Sequence, residues 1–399
     1  MCGIAGFCNF KENFEENTDY WNFRLEKMRA VLAHRGNDAR GRFLKKHIGL
    51  SHSRLAIRDI LCGDQPMTRT HNGYDYTICY NGEIYNTDEL IPELSENGFV
   101  CSTTSDTEVI LYAYIHWGAD FVSRLNGIFA FAIWDAAKNR LLLYRDRVGV
   151  KPLFYAIRGD SLVFGSEPKA CFAHPAVKPE LDKQGLQELL AIGPAHTSGL
   201  SLFKDLFEVL PGHFMIYSRD GLHDETYWEL TSREHTESYR DTVAHTRFLV
   251  EDAIKRQMVS DVPVCTFLSG GIDSSIVTAI AANYMNTRGK TLNTFSFDFK
   301  DNDRYFKANS FQPERDLPYV NRMLEEYETA HSYLECDENS LFKALFAAVD
   351  AKDMPGMTDV DSSLLYFCSL VSRKNKVALT GECADEIFGG YPWFYRKEL

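Results

Sequence analysis

No stretch of the chain approaches the ~18–20 uncharged apolar residues of a membrane-spanning helix. The longest apolar run, Gly127–Trp134, is only strand-length. Positive charge is also short: 43 Lys and Arg stand against 56 Asp and Glu, a net charge of −13. That balance argues against a general nucleic-acid binder, though not against a local basic pocket for a nucleotide. The 10 cysteines form no CxxC pair, and the histidines show no zinc spacing. They read as reduced, mostly buried thiols of a cytoplasmic protein. The first residues lack a basic-then-apolar leader pattern, and the chain carries no internal repeat or low-complexity tract. What is present is ordinary for a globular protein: 45% apolar and 25% charged residues over 399 positions. That excludes wholesale disorder and fits two or three domains.

Two patterns divide the chain. Up to about residue 215, short strand signals alternate with turn residues, as in Ile4–Phe7, Ile48–Ile57, Tyr74–Tyr80, Ile128–Trp134 and Arg140–Arg145. Trp21–Leu32 and Thr107–Gly118 carry helical spacing. This predicts an antiparallel α+β domain over residues 1–215. The polar stretch Thr231–Ser238 follows. Beyond it, strand and helix alternate: Val262–Leu268, Ser274–Met285, Leu292–Phe299, Leu317–Tyr327, His331–Leu334, Ser340–Ala348, Ser362–Ser372 and Lys376–Thr380. Such alternation predicts an α/β domain with a parallel sheet over residues 235–399.

The strongest motif is Phe267-Leu268-Ser269-Gly270-Gly271-Ile272-Asp273-Ser274-Ser275. It leaves a buried strand and enters a helix. The glycines let backbone N–H groups approach a ligand, and the serines add hydroxyls. The helix start adds positive dipole, so phosphate or pyrophosphate is the natural guest. Asp273 would repel a bare phosphate, which implies Mg²⁺ between them. The Gly-Lys-Ser/Thr ending of a Walker A loop is missing. A plain glycine turn with a serine cap is the bland alternative; the strand before, the helix after and the Asp inside weigh against it. A second acidic turn, Thr380-Gly381-Glu382-Cys383-Ala384-Asp385-Glu386, follows a later strand. In a parallel sheet both loops lie at carboxyl ends of strands, where ligands bind. Asp385 with Asp273 then makes a Mg²⁺ pair. The alternative there is a solvated acidic helix start.

Cys2 becomes the first residue if Met1 is removed. A thiol beside a free α-amine is a self-contained nucleophile, because the amine can take the thiol proton. Most such cysteines are simply small apolar residues starting a strand. Other residues supply what a nucleophile needs. Arg54 can hold a carboxylate bidentately. Asn81 Nδ and the Gly82 N–H can form an oxyanion hole. Glu83 and Asp106 can accept hydrogen bonds from an α-ammonium group. Together they describe a site for an amino acid with a carbonyl aimed at Cys2. Taken singly they are a surface ion pair, a turn and a helix cap.

The residues Met1–Gly6, His34–Asp38, Ser53–Ile57, Tyr80–Asn86, Ser105–Glu108, Arg145–Leu153, Ser166-Glu167, Leu210–Gly212, Leu268–Ser275 and Gly381–Tyr391 occur in one order along essentially the whole chain. In that set the chain resembles the glutamine-dependent asparagine synthetases of the class II amidotransferase family. The resemblance implies an N-terminal-nucleophile αββα sandwich joined to an ATP-pyrophosphatase domain. It implies that Cys2 attacks the side-chain amide of glutamine, with Arg54, Ile57, Asn81, Gly82, Glu83 and Asp106 holding that substrate. Leu268, Ser269, Gly270, Gly271, Asp273, Ser274, Phe297, Thr380 and Gly381 would contact ATP. Asp273 and Asp385 would hold Mg²⁺, and Glu382 would serve formation of aspartyl-AMP. The released ammonia would pass internally to that intermediate and give asparagine.

The expected partners are therefore small molecules: glutamine, aspartate and ATP, with no nucleic acid and no membrane, and with a homodimer left open. The runner-up keeps both half-reactions and changes the carboxylate acceptor to a cell-wall or secondary-metabolite precursor. A cyclising synthetase without glutaminase activity, or a non-catalytic binding role, fits the two intact site constellations less well. Departures from the family pattern are Asn37 for Pro, Thr380 for Ser, Cys383 for Gly and Asp298 for a frequent Gly. Family members continue well beyond the position of Leu399, so a truncated or incompletely recorded chain is expected.

Overall fold

The structure, a computed structural model, describes residues 1–308 and 314–398. It divides into two units: Met1–Arg233 with Val349–Gly356, and Glu234–Ala348 with Met357–Leu399.

The first unit holds two six-stranded antiparallel sheets. Period-two side-chain alternation decides what each sheet faces. On Gly127–Asp135, Phe129, Phe131 and Ile133 enter one cluster with Val109, Ile110, Leu111 and Tyr114 of the helix Asp106–Trp117. Their neighbours Ala130, Ala132 and Trp134 enter another cluster with Ile4, Cys8, Ile48 and Leu50 of the opposite sheet. On Gly3–Asn9, Ile4 and Cys8 face that inter-sheet core, while Ala5 and Phe7 pack on Trp21, Leu25 and Met28 of the helix Thr18–Ala30. Helix, sheet, sheet and helix thus stack in four layers, the αββα sandwich that the resemblance implies. Aromatic stacking of Tyr144 with Phe131 at 4.6 Å and Phe214 at 5.1 Å fills the second helix–sheet layer. Each such buried ring contributes roughly 1.5–3 kcal/mol.

Several elements differ from the sequence reading. The strand starting at Ile48 ends at Arg54, short of Ile57, because the chain turns into the loop that Arg54 itself holds. The strand starting at Tyr74 runs on to Ile84, paired from Tyr76 onward with Gly127–Asp135. The helix Thr87–Glu96 and the edge strands Ala39–Lys45, Met67–His71 and Gly221–Thr226 carry too many polar residues to stand out by pattern.

The second unit holds a four-stranded parallel sheet in the spatial order Thr329–Cys336, Leu292–Phe299, Val264–Phe267, Val377–Leu379. The chain works outward on one side of Val264–Phe267 and then returns to pair on the other. The topological switch therefore falls between Val264–Phe267 and Val377–Leu379, and a crevice outside a switch point is where open parallel sheets bind ligands.

Candidate active sites

Cys2 sits at the start of the strand Gly3–Asn9, whose Gly3 pairs with Ser53. Its Sγ accepts from the Leu55 N–H at 3.4 Å and contacts the Leu55 carbonyl at 3.6 Å. Arg35 Nε donates to the Cys2 carbonyl at 2.9 Å. Burial pushes the thiol up; the Leu55 N–H and the charge of Arg54 draw it down, while Glu83 adds to the rise. With Met1 in place, burial pulls the chain's α-amine down to about 5, so that amine is uncharged at neutral pH. Lys151, buried and depressed by desolvation, senses both Cys2 and Glu83. Its Nζ lies 3.0 Å from Met1 Sδ. The Cys2 thiol thus feels the charges of Arg54 and Glu83, and the Lys151 ammonium those of Arg35, Glu83, Asp146 and Cys2.

Asn81 is buried on the strand Tyr74–Ile84, and its Nδ2 has no protein hydrogen-bond partner among the described residues. A buried amide without an acceptor is costly and asks for a ligand. Gly82 follows on that strand, opposite Phe129. Asp106, the first residue of its helix, accepts from Tyr80 Oη at 2.8 Å and from the Ile84 N–H at 3.0 Å. Burial raises it, and Arg58, 3.9 Å away, opposes that rise.

Arg54 has a more committed geometry than a free clamp. Its NH1 donates to the Ile60 carbonyl at 3.1 Å and to Asp64 Oδ1 at 3.0 Å. Its NH2 donates to the Arg58 and Asp59 carbonyls. Both terminal nitrogens thus hold the loop that begins after Ile57, and a carboxylate would have to displace part of that loop.

Two supporting residues, Gln65 and His52, carry no motif signal of their own, and a third, Asp146, lies within the segment Arg145–Leu153. Gln65 accepts from the Tyr80 N–H at 2.6 Å and donates to Thr107 Oγ1 at 3.3 Å. His52 Nε2 lies 3.0 Å from the Tyr80 carbonyl, so it must carry the proton, leaving Nδ1 buried without a partner among the described residues. Asp146 accepts the Phe129, Val148, Val150 and Lys151 N–H groups and so folds the turn that carries Lys151.

In the second unit, Phe267 ends its strand and Ile272 starts a helix running to Asn286. No side chain caps that helix, so its first N–H groups remain for an anion. Ser274 Oγ meets Ser269 Oγ at 3.0 Å and donates to the Gly271 carbonyl at 3.1 Å, which fixes the loop's curvature. Gly270 takes φ +83°, a conformation natural only to glycine.

Ser269, Gly271, Asp273 and Ser274 line one cleft of about 420 Å³ together with Gly381, Glu382, Asp385 and Glu386. Both acidic positions expected to share a metal thus face the same space. A smaller cavity of about 40 Å³ next to it is lined by Leu268, Ser269, Ser296, Phe297 and Asp298. Gly270 and Thr380 line neither cavity. Cys383, at φ +70°, caps the helix Ala384–Phe388 in a left-handed conformation. Glycine adopts that conformation without the strain that a Cβ brings. No group of three or more His, Cys, Asp or Glu forms a preformed metal cage among the described residues.

Residues 1–228 match the glutamine amidotransferase domain family, and residues 245–399 match the asparagine synthase family. Asparagine synthetase (glutamine-hydrolyzing) 3 of Bacillus subtilis (strain 168) is 48% identical over all of this chain, which spans 64% of that protein's length. Amidase chyE of Penicillium rubens is 32% identical over 99% of this chain, which spans 60% of that protein. A putative asparagine synthetase (glutamine-hydrolyzing) 2 of Methanocaldococcus jannaschii is 32% identical over 98% of this chain, which spans 76% of it. The chain belongs to the glutamine-hydrolysing asparagine synthetase family, with an N-terminal glutamine amidotransferase domain.

Proposed function

We propose that the protein carrying this chain amidates aspartate to asparagine, using glutamine as nitrogen donor and ATP as activator. The glutaminase domain takes residues 1–215 and the strand Gly221–Thr226 that completes its second sheet, and residues 235–399 supply synthetase structure, apart from Val349–Gly356 of the first unit. The observation that carries the first half is the buried, unpartnered Asn81 Nδ2 on the strand that leads into Gly82 and Glu83. With Met1 removed, the Cys2 α-amine takes the thiol proton and the thiolate attacks the glutamine amide carbon. Asn81 Nδ2 and the Gly82 N–H stabilise the oxyanion. Ammonia leaves, and water then releases glutamate from the thioester. Arg54, Ile57, Glu83 and Asp106 bind the amino-acid end of glutamine, with movement of the loop that Arg54 holds.

The second site supports acyl activation. A carboxylate is a poor electrophile, and adenylation gives its oxygen a good leaving group. The aspartate β-carboxylate attacks the α-phosphorus of ATP, releasing pyrophosphate. Ammonia then attacks the acyl carbon and displaces AMP. The loop Ser269–Ser274 cradles phosphate, Leu268 and Phe297 flank the nucleoside, and Thr380, Gly381 and Glu382 close the site from the neighbouring strand. Asp273 and Asp385 would hold Mg²⁺, whose charge would offset that of the phosphates. Free ammonia is mostly ammonium in water, so passing it internally keeps it nucleophilic.

Ten free thiols fit a reducing compartment, and we place the protein in the cytoplasm. No described helix is long and apolar enough to cross a membrane. The similarity to amidase chyE keeps a second reading in play, the same two half-reactions on another carboxylate. Supplying glutamine and MgATP with aspartate or with other carboxylates, and measuring AMP, decides between them. AMP formed with aspartate supports the first reading; AMP formed only with another acid supports the second.

A further inference from the structure

Glu167 joins the nucleophile to a segment far away in the sequence. Arg35, whose Nε holds the Cys2 carbonyl at 2.9 Å, donates through NH1 to Glu167 Oε1 at 2.7 Å. His34 Nε2 lies 3.0 Å from the same oxygen. Burial alone would push the Glu167 carboxyl up, but His34 and Arg35 hold it down at about 2. The other oxygen, Oε2, lies 3.0 Å from Lys169 Nζ, an ion-pair contact.

Lys169 is gripped from its far side. Its N–H donates to Asp353 Oδ2 at 3.0 Å, and its ammonium lies 3.2 Å from Asp353 Oδ1. The ammonium also donates to the Asp350 carbonyl at 2.6 Å, in the last turn of the helix Glu338–Lys352, where a cation is favoured. Asp353 itself stands at φ +59°, a region that Asp and Asn tolerate better than other side chains. The segment Val349–Gly356 belongs to the first unit, although the residues on either side of it belong to the second. It also falls within the span matched to the asparagine synthase family.

The charges alternate along the path: Asp353, Lys169, Glu167, Arg35. Their side chains are 13%, 20%, 10% and 8% exposed, so water screens them weakly. Weakening one link leaves the next charge seeking a new partner. Without Asp353, Lys169 competes with Arg35 and His34 for the one Glu167 carboxylate.

We propose that Asp353 and Lys169 are positioning residues for Cys2, acting through Glu167 and Arg35 on the backbone that carries the nucleophile. This rests on Cys2 being the glutaminase nucleophile. Asp353→Asn removes the charge but keeps the side-chain shape, an acceptor for the Lys169 N–H and tolerance of the positive φ. In the protein carrying this chain, glutamine kcat should fall about 10-fold, with KM changed less than about twofold. Lys169→Met should do the same, Lys169→Arg should retain most activity, and the double variant should lose no more than the worse single one. Iodoacetamide alkylation of Cys2, followed by peptide mass spectrometry, should slow in parallel while the unfolding temperature stays within a few degrees. Unchanged kcat and alkylation in Asp353→Asn and Lys169→Met, or a rise in KM alone, overturns the proposal. If glutamine is not hydrolysed even by the parent protein, yet alkylation differs between variants, the positioning role stands and the functional reading fails. If Lys169→Met does not fold, Asp353→Asn decides on the same terms; if Asp353→Asn does not fold, Lys169→Met decides, with Lys169→Arg as the folded reference.

Discussion

Gly381 lies against Asp273 so closely that a Cβ there would stand 2.8 Å from the Asp273 Cβ and 2.7 Å from the Ser274 nitrogen. Two loops that are remote in sequence are therefore in van der Waals contact at the topological switch of the parallel sheet. The contact needs a residue without a side chain, and it sets how far apart the phosphate loop and the acidic loop can be.

Gly381→Ala should push those loops apart. We expect a cost of about 1–3 kcal/mol in stability from overpacking, and a fall of about 100-fold in AMP formation from misplaced groups. Glutamine hydrolysis should change little. An AMP assay beside a glutaminase assay on the same preparation checks this. Equal losses in both would point to general unfolding instead.

Asp273→Asn and Asp385→Asn should each suppress AMP formation while sparing glutamine hydrolysis. Both residues line one cleft, and two carboxylates set against a triphosphate would need Mg²⁺ between them. The variants should also need more Mg²⁺ for half-maximal AMP formation. A variant with parental Mg²⁺ dependence would remove that residue from the metal site.

Asn81→Leu offers a sharper test than most substitutions, because its two effects should oppose. Losing an oxyanion donor should lower glutaminase kcat by about 10²–10³-fold. Losing a buried donor with no protein partner should leave stability equal or higher. A large loss of stability with retained kcat would make Asn81 a structural residue.

Much of this was legible locally. Leu292–Phe299 could be read at its observed ends because its apolar residues run between clear breakers. The passage from the strand ending at Phe267 to the helix starting at Ile272 was legible because glycines and serines break a strand and start a helix. The helix Thr87–Glu96 was not, since Pro92 interrupts its pattern. Nor was Ala39–Lys45, an edge strand with no fully buried residue and with exposed arginines along it. The Glu167–Lys169–Asp353 path had no local signal, because its partners lie 184 residues apart. Arg54 shows another limit: sequence can nominate a guanidinium but cannot show that four carbonyl and carboxylate groups of a neighbouring loop already occupy it.

Acid should destabilise the first unit through its buried histidines. Burial lowers His52 and His174 to about 4, and in the unfolded chain they titrate near 6.5. Between those values the unfolded state binds more protons, so stability falls as pH drops from about 6.5 toward 4 and then levels. Each contributes roughly 1.4 kcal/mol per pH unit in that window. His52→Gln should flatten the slope of unfolding free energy against pH by about one proton. An unchanged slope would mean that His52 is protonated in the folded state.

The most direct test follows nitrogen from one site to the other. The protein carrying this chain is given glutamine labelled with ¹⁵N in its side-chain amide, together with MgATP and aspartate. The label should appear in the asparagine side chain, with one AMP per asparagine, and Cys2→Ala should abolish that transfer while unlabelled ammonia still supports synthesis. Glutamine hydrolysis that continues undiminished in Cys2→Ala, or label that never reaches a carboxylate acceptor, would contradict the account.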